Sequence, residues 1–246
     1  MKVKKNWVPS AFTMANMLAG YFSVILCTGG KFIQAAWLIV AAAVLDALDG
    51  KIARFAKVDS RFGVEYDSLA DVVSFGLAPS FLIYRTVFNS WGILGILISA
   101  GPLVFGSIRL ARFNIRLKGL SKEYFEGLPI PSAAVTMATF LVFNYHFWGY
   151  MRWEKVLLFL VIAASVLMVT SIRYETMPGF SLQAAMEDRK KFLMFFGGTV
   201  LVIIFPQEAF FPLALMYTLS GPINLIWSVF KSSDQKTAEN IKEANE

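Results

Sequence analysis

Six of the seventeen acidic side chains of this 246-residue chain, Asp46, Asp49, Asp59, Glu65, Asp67 and Asp71, fall within 26 consecutive positions, and none precedes Asp46. Asp46 and Asp49 are three residues apart and Asp67 and Asp71 four apart, so each pair shares one face of a helix. The first pair ends the apolar run FIQAAWLIVAAAVLDALDG and the second opens YDSLADVVSFGLAPSFLIYRTVF. The connection between them, residues 51–62, is short enough to make the two helices antiparallel neighbours, which predicts four carboxylates around one cavity. Four such groups cannot all carry charge side by side unaided. A cation must join them, and oxygen donors suit Mg²⁺ or Mn²⁺. One cysteine, Cys27, and one histidine, His146, leave no material for a thiolate or multi-histidine site. Gly50, Ala53, Gly63 and Ala70 leave space among the acids for a bulky ligand, and Arg54 adds a planar cationic fork. That equipment suits a pyrophosphate. The competing reading, four aspartates capping helix ends or pairing with Lys51, Lys57 and Arg61, fits poorly. Asp46 and Asp49 stand at the end of their apolar run, where the helix dipole disfavours an acid.

The elements that must hold these groups are membrane helices. With 57% hydrophobic and 16% charged residues and a mean hydropathy of +0.58, the composition excludes a soluble globular domain. Apolar runs near residues 11–29, 32–49, 67–88, 92–109, 131–149, 155–172, 192–205 and 210–230 predict an all-α integral membrane bundle of about eight transmembrane helices. A membrane domain would then fill residues 1–230, with a polar cytoplasmic tail at 231–246. Placing the N-terminus inside puts nineteen of the 23 basic residues on the cytoplasmic side, together with both termini and the aspartates. The net charge of +6 is dispersed between apolar runs, which speaks for membrane orientation and not for nucleic acid. Lys2, Lys4 and Lys5 precede the first run, but Thr13, Asn16 and the lack of a small-x-small site predict a retained span and not a cleaved signal. Cys27 is expected to be an inert buried thiol, and His146, beside Phe147 and Trp148, an interface residue.

The pattern Asp46-x2-Asp49-Gly50-x2-Ala53-Arg54-x8-Gly63-x3-Asp67-x3-Asp71 resembles, at every motif position, the signature of the CDP-alcohol phosphatidyltransferase family. The resemblance implies a six-helix core, here with two further helices. The implied enzyme transfers a phosphatidyl group from a CDP-linked lipid to an alcohol and releases CMP. It further implies two divalent metal ions, Mg²⁺ or Mn²⁺, held by Asp46, Asp49, Asp67 and Asp71, with Asp71 also the general base. Gly50, Arg54 and Ser60 stand where the family contacts the CDP-lipid head group. Residues 9–16, with Thr13 and Asn16, are similar to its N-terminal element that closes over the nucleotide. A homodimer is likewise implied.

Three further stretches, YDSLADVVSFGLAPS, Arg109-Leu110-Ala111-Arg112-Phe113-Asn114 and GLPIPSAA at 127–134, are similar to the phosphatidylserine synthase branch, so that residues 5–180 are covered. That branch implies CDP-diacylglycerol and L-serine as substrates and a bacterial or archaeal plasma membrane as the setting. Serine brings a carboxylate that a cation must match, and Arg109, Arg112 and Arg173 end spans on the expected cytoplasmic side as an acceptor pocket. Glycerol 3-phosphate or inositol phosphate would also attract arginines, so a sister transferase stays open. An ion-coupled transporter fits less well, because its acids would sit near the midplane on broken helices of two repeats.

Overall fold

The computed structural model describes residues 7–56, 61–116, 124–175 and 189–243. It is helical apart from one short ribbon, and a helical segment occupies each of the eight apolar stretches. Four of them, spanning Ala11–Thr28, Phe32–Ile52, Phe88–Ile115 and Pro206–Ser228, are long and apolar enough to cross a bilayer. Many large apolar side chains face outward, Ile93, Phe159, Ile203 and Trp227 among them, as lipid contact requires.

Helix α1 (Trp7–Thr28) lies along α2 (Phe32–Ala56). Thr13, Asn16, Gly20, Ser23 and Cys27 recur at alternating spacings of three and four and form the buried face of α1. Helix α2 offers the buried Ala35, Ala36 and Ala42, small enough for close approach, with Ile39 buried among them. The Ser23 hydroxyl donates across this seam to the Ala35 carbonyl at 2.9 Å. Helix α2 continues through Ala56, so Asp46 and Asp49 lie inside a helix and not at its end. No proline stops it, and residues 51–56 carry no glycine.

The next rod begins at Arg61, well before the apolar run. It consists of α3 (Arg61–Asp71), a π-helical turn (Val72–Leu77) and α4 (Ala78–Thr86). A 3₁₀ turn (Phe88–Trp91) and Gly92, at φ 59°, reverse the chain into α5 (Gly92–Ser99) and α6 (Gly101–Arg116). At the centre stands α7 (Ile130–Trp148), buried on nearly every side, with α2, the π turn, α6, α8 (Glu154–Val169) and α10 (Pro206–Glu243) around it. The Thr136 and Thr218 hydroxyls pair at 2.9 Å and Phe211 packs on Phe140 and Phe143, which docks α10 on α7. Helix α9 (Arg189–Ile204) rests on α10. Helix α10 tolerates Pro212 and Pro222 within its length and runs as helix through the polar residues beyond 230.

The ribbon pairs β1 (Tyr124–Glu126) with β2 (Arg173–Glu175), antiparallel. These short connectors leave backbone groups that no helix satisfies, and they satisfy one another. Gly127, at φ 74°, then donates to the Ile172 carbonyl at 2.8 Å; a Cβ there would collide with the Met168 carbonyl. His146 Nε2 meets Glu208 Oε1 at 3.0 Å and links α7 to α10.

Candidate active site

Helix periodicity puts Asp46 and Asp49 on one face of α2 and Asp67 and Asp71 on one face of α3, and the two faces meet. One carboxylate oxygen each from Asp46, Asp67 and Asp71 lies within 4.8 Å of the other two. Asp71 is buried. Asp49, also buried, stands beside this triad and acts electrostatically on Asp46 and Asp67, but its Oδ2 accepts a hydrogen bond from Thr13. Three of the four expected ligands therefore converge directly, and the fourth is held one step aside by α1.

The same helix reaches Asp71, to whose Oδ1 the Asn16 Nδ2 donates at 3.3 Å. Thr13 and Asn16, three apart on one face of α1, thus brace an aspartate of α2 and an aspartate of α3. In this structure their partners are carboxylates. Asp49 Oδ1 and Asn16 Oδ1 are both buried with no hydrogen-bond partner. Orphaned acceptors beside a carboxylate triad need a positive group, and an all-oxygen donor set fits a hard divalent cation. Asp46, Asp67 and Asp71, with Asp49 adjacent, are the residues that could hold it.

Gly50 follows Asp49 on an exposed stretch of α2, where an added Cβ would meet nothing within 4 Å; the space beside the acids is open. Arg54 lies in the last turns of α2, but its side chain is outside the described residues, as is all of Ser60.

The segment from Arg109 to Asn114 explains itself in the packing. At about 100° per residue its polar side chains leave α6 in different directions and meet different neighbours. Arg109 turns inward. It is buried, its Nε has no hydrogen-bond partner, and its charge acts on Asp71 and on the phenol of Tyr217. Arg112, three residues on and exposed, donates instead through Nη1 to the Val169 carbonyl at 3.0 Å, neutralising the negative end of α8. Asn114 donates to Ser68 Oγ at 3.0 Å and to Glu65 Oε2 at 3.3 Å, tying α6 to α3 next to Asp67. Of the three arginines expected in an acceptor pocket, the structure brings Arg109 to the aspartates and gives Arg112 to a helix end. Arg173 lies in β2 opposite Glu126, its side chain outside the described residues.

Two residues near the site were not singled out in the sequence. Tyr217, on α10, stands near Ser132 and within electrostatic reach of Arg109. Only the docking of α10 on α7 reveals it. Ser74, three residues after Asp71, donates to the Asn16 carbonyl at 2.8 Å; a hydroxyl repeating the Asp71 face within an apolar run was the available signal. Behind Tyr217, Tyr174 is fully buried and its hydroxyl donates to the Thr218 carbonyl at 3.0 Å. Burial, then the neighbouring Tyr217, pushes this phenol up to about 12, so it remains a donor at neutral pH.

Comparison with known proteins agrees with this arrangement. Residues 6–220 match the family model described as CDP-alcohol phosphatidyltransferase. The chain is 38% identical over 225 residues to a CDP-diacylglycerol–serine O-phosphatidyltransferase of Helicobacter pylori, covering 91% of this chain and 92% of that one. It is 39% identical over 182 residues to an archaetidylserine synthase of Methanothermobacter thermautotrophicus, covering 72% and 73%. A CDP-diacylglycerol–serine O-phosphatidyltransferase of Mycobacterium bovis is 35% identical over 184 residues, covering 71% of this chain and 63% of its own. With the family model spanning most of the chain and the aspartate signature folded into one cluster, this protein belongs to the CDP-alcohol phosphatidyltransferase family.

Proposed function

We propose that this protein transfers the phosphatidyl group of CDP-diacylglycerol to L-serine, forming phosphatidylserine and releasing CMP. The observation that carries the reading is the convergence of Asp46, Asp67 and Asp71 from two adjoining helices of an apolar bundle, within the family's own spacing. The serine acceptor rests on the relatives' names and on Arg109, a buried guanidinium beside Asp71.

In this reading Asp46, Asp49, Asp67 and Asp71 hold two divalent ions, Mg²⁺ or Mn²⁺. Bound there, such ions supply charge neutralisation to the pyrophosphate as it is cleaved. Asp71 accepts the proton of the serine hydroxyl as its oxygen forms a bond to the lipid-side phosphorus, and the bond from that phosphorus to the oxygen of CMP breaks in line. No covalent enzyme intermediate is required. Gly50, Arg54 and Ser60 bind the CDP head group, Thr13 and Asn16 keep Asp49 and Asp71 in place, and Arg109 receives the serine carboxylate. A donor that is half nucleotide and half lipid requires a site at the membrane boundary. We place that boundary on the cytoplasmic side, with eight spans, both termini inside and a homodimeric assembly.

The test is to incubate purified protein in detergent or vesicles with CDP-diacylglycerol, Mg²⁺ or Mn²⁺, and serine, glycerol 3-phosphate or inositol phosphate in turn. CMP and phosphatidylserine formed with serine support the reading. CMP formed only with another alcohol makes the protein a sister transferase, and no CMP with any of them removes the transferase reading.

A further inference from the structure

Asp71 is braced by a side chain whose own backbone is gripped from the rod that carries Asp71. Asn16 Nδ2 donates to Asp71 Oδ1 at 3.3 Å, and the Asn16 carbonyl accepts from Ser74 Oγ at 2.8 Å. Ser74 follows Asp71 by three residues and lies fully buried in the π turn that starts immediately after it. The contacts close a ring from Asp71 to the Asn16 amide, through the Asn16 backbone to Ser74, and along the rod back to Asp71. Gly20 makes this possible. A Cβ on Gly20 would stand 2.5 Å from Ser74 Oγ and 2.6 Å from Ser74 Cα, so α1 and the π turn meet here with nothing between them. Closest approach at Gly20 and the hydrogen bond at Ser74 set the depth and rotation of α1 against the rod, and therefore where the Asn16 amide points.

We propose that Ser74 and Gly20 are positioning residues of the reaction, acting through Asn16 to hold the Asp71 carboxylate in its cation-binding place. The proposal rests on the aspartate cluster being a divalent-cation site, and through it on the transferase reading.

Serine 23 supplies an internal control. Its hydroxyl makes the same kind of interhelical bond, to the Ala35 carbonyl at 2.9 Å, on the same face of α1, but touches nothing in the cluster. Ser74→Ala, Ser23→Ala and Gly20→Ala are compared with the native chain by Mn²⁺ titration followed by electron paramagnetic resonance, with CMP release measured in parallel. Loss of one buried hydrogen bond corresponds to about three- to tenfold in an equilibrium constant. Ser74→Ala is expected to weaken Mn²⁺ binding by that factor, Gly20→Ala by at least as much, and Ser23→Ala by less than about twofold. Equal Mn²⁺ affinity in Ser74→Ala and the native chain overturns the proposal, as does equal weakening in Ser74→Ala and Ser23→Ala, which reports packing alone. If Gly20→Ala fails to fold, Ser74→Ala decides. Native protein that binds Mn²⁺ but releases no CMP removes the transferase reading and any part these residues play in that reaction, while the Mn²⁺ comparison still decides whether they hold Asp71 in its cation-binding place; native protein that binds no Mn²⁺ removes both.

Discussion

Replacing Asp71 by asparagine should produce two effects of opposite sign. The exchange keeps shape and volume, and the new Oδ1 can still accept from Asn16, so packing is undisturbed. What changes is charge. Asp71 has an oxygen within 4.8 Å of oxygens of Asp46 and Asp67, and two unit charges at that spacing repel by about 3.5 kcal/mol at an effective dielectric of about 20. Relief of even a third of one such repulsion is about 1 kcal/mol, so protein stripped with a chelator should be more stable as Asp71→Asn than as the native chain. Added Mn²⁺ should stabilise the native chain and stabilise the variant far less. Turnover should fall by at least about 10²-fold, the scale of a lost general base. The assay pairs thermal unfolding with and without Mn²⁺ against CMP release at saturating serine. A variant that keeps more than a tenth of native turnover refutes the general-base role. A variant that is less stable than the native chain in chelator by more than about 1 kcal/mol refutes the crowded-charge account and returns Asp71 to a structural cap.

Other outcomes follow from the same geometry. Arg109→Ala should raise the KM for serine at least tenfold while changing that for CDP-diacylglycerol less, if this buried guanidinium, whose charge acts on Asp71, receives the serine carboxylate as proposed; steady-state kinetics with each substrate varied checks this. Arg112→Ala should leave the serine KM near native and cost about 1 kcal/mol of stability, because its guanidinium meets the end of α8; thermal unfolding beside the same kinetics separates the two arginines. Gly127→Ala should lower the melting temperature by several degrees, since its φ of 74° alone costs an alanine about 1–2 kcal/mol and the Met168 carbonyl blocks the new methyl.

The acids could be read from the chain because each pair sits within one helical turn and the two helices adjoin in sequence. Local periodicity aims a pair, and a short connection brings two pairs together. Helix extents are less legible. The apolar runs stop near residue 49 and resume near 67, since hydropathy marks where lipid ends and not where hydrogen bonding ends; α2 continues to Ala56 and the next rod starts at Arg61. Nor could local periodicity divide Arg109 from Arg112. Both stand in one basic, membrane-edge stretch, and only the neighbours of α6 give one to Asp71 and the other to α8.

The sequence by itself determined the solvent, the helical class and the carboxylate cluster, because hydropathy and a 3.6-residue period act over a few turns and need no knowledge of distant partners. The tertiary structure alone decided that Thr13 and Asn16 brace the aspartates, that Ser74 and Gly20 key α1 to the rod, and that Tyr217 comes within electrostatic reach of Arg109. Each of those contacts joins segments 36 or more residues apart. Which face meets which is set by how side chains of several helices fill shared space, and no single segment carries that information.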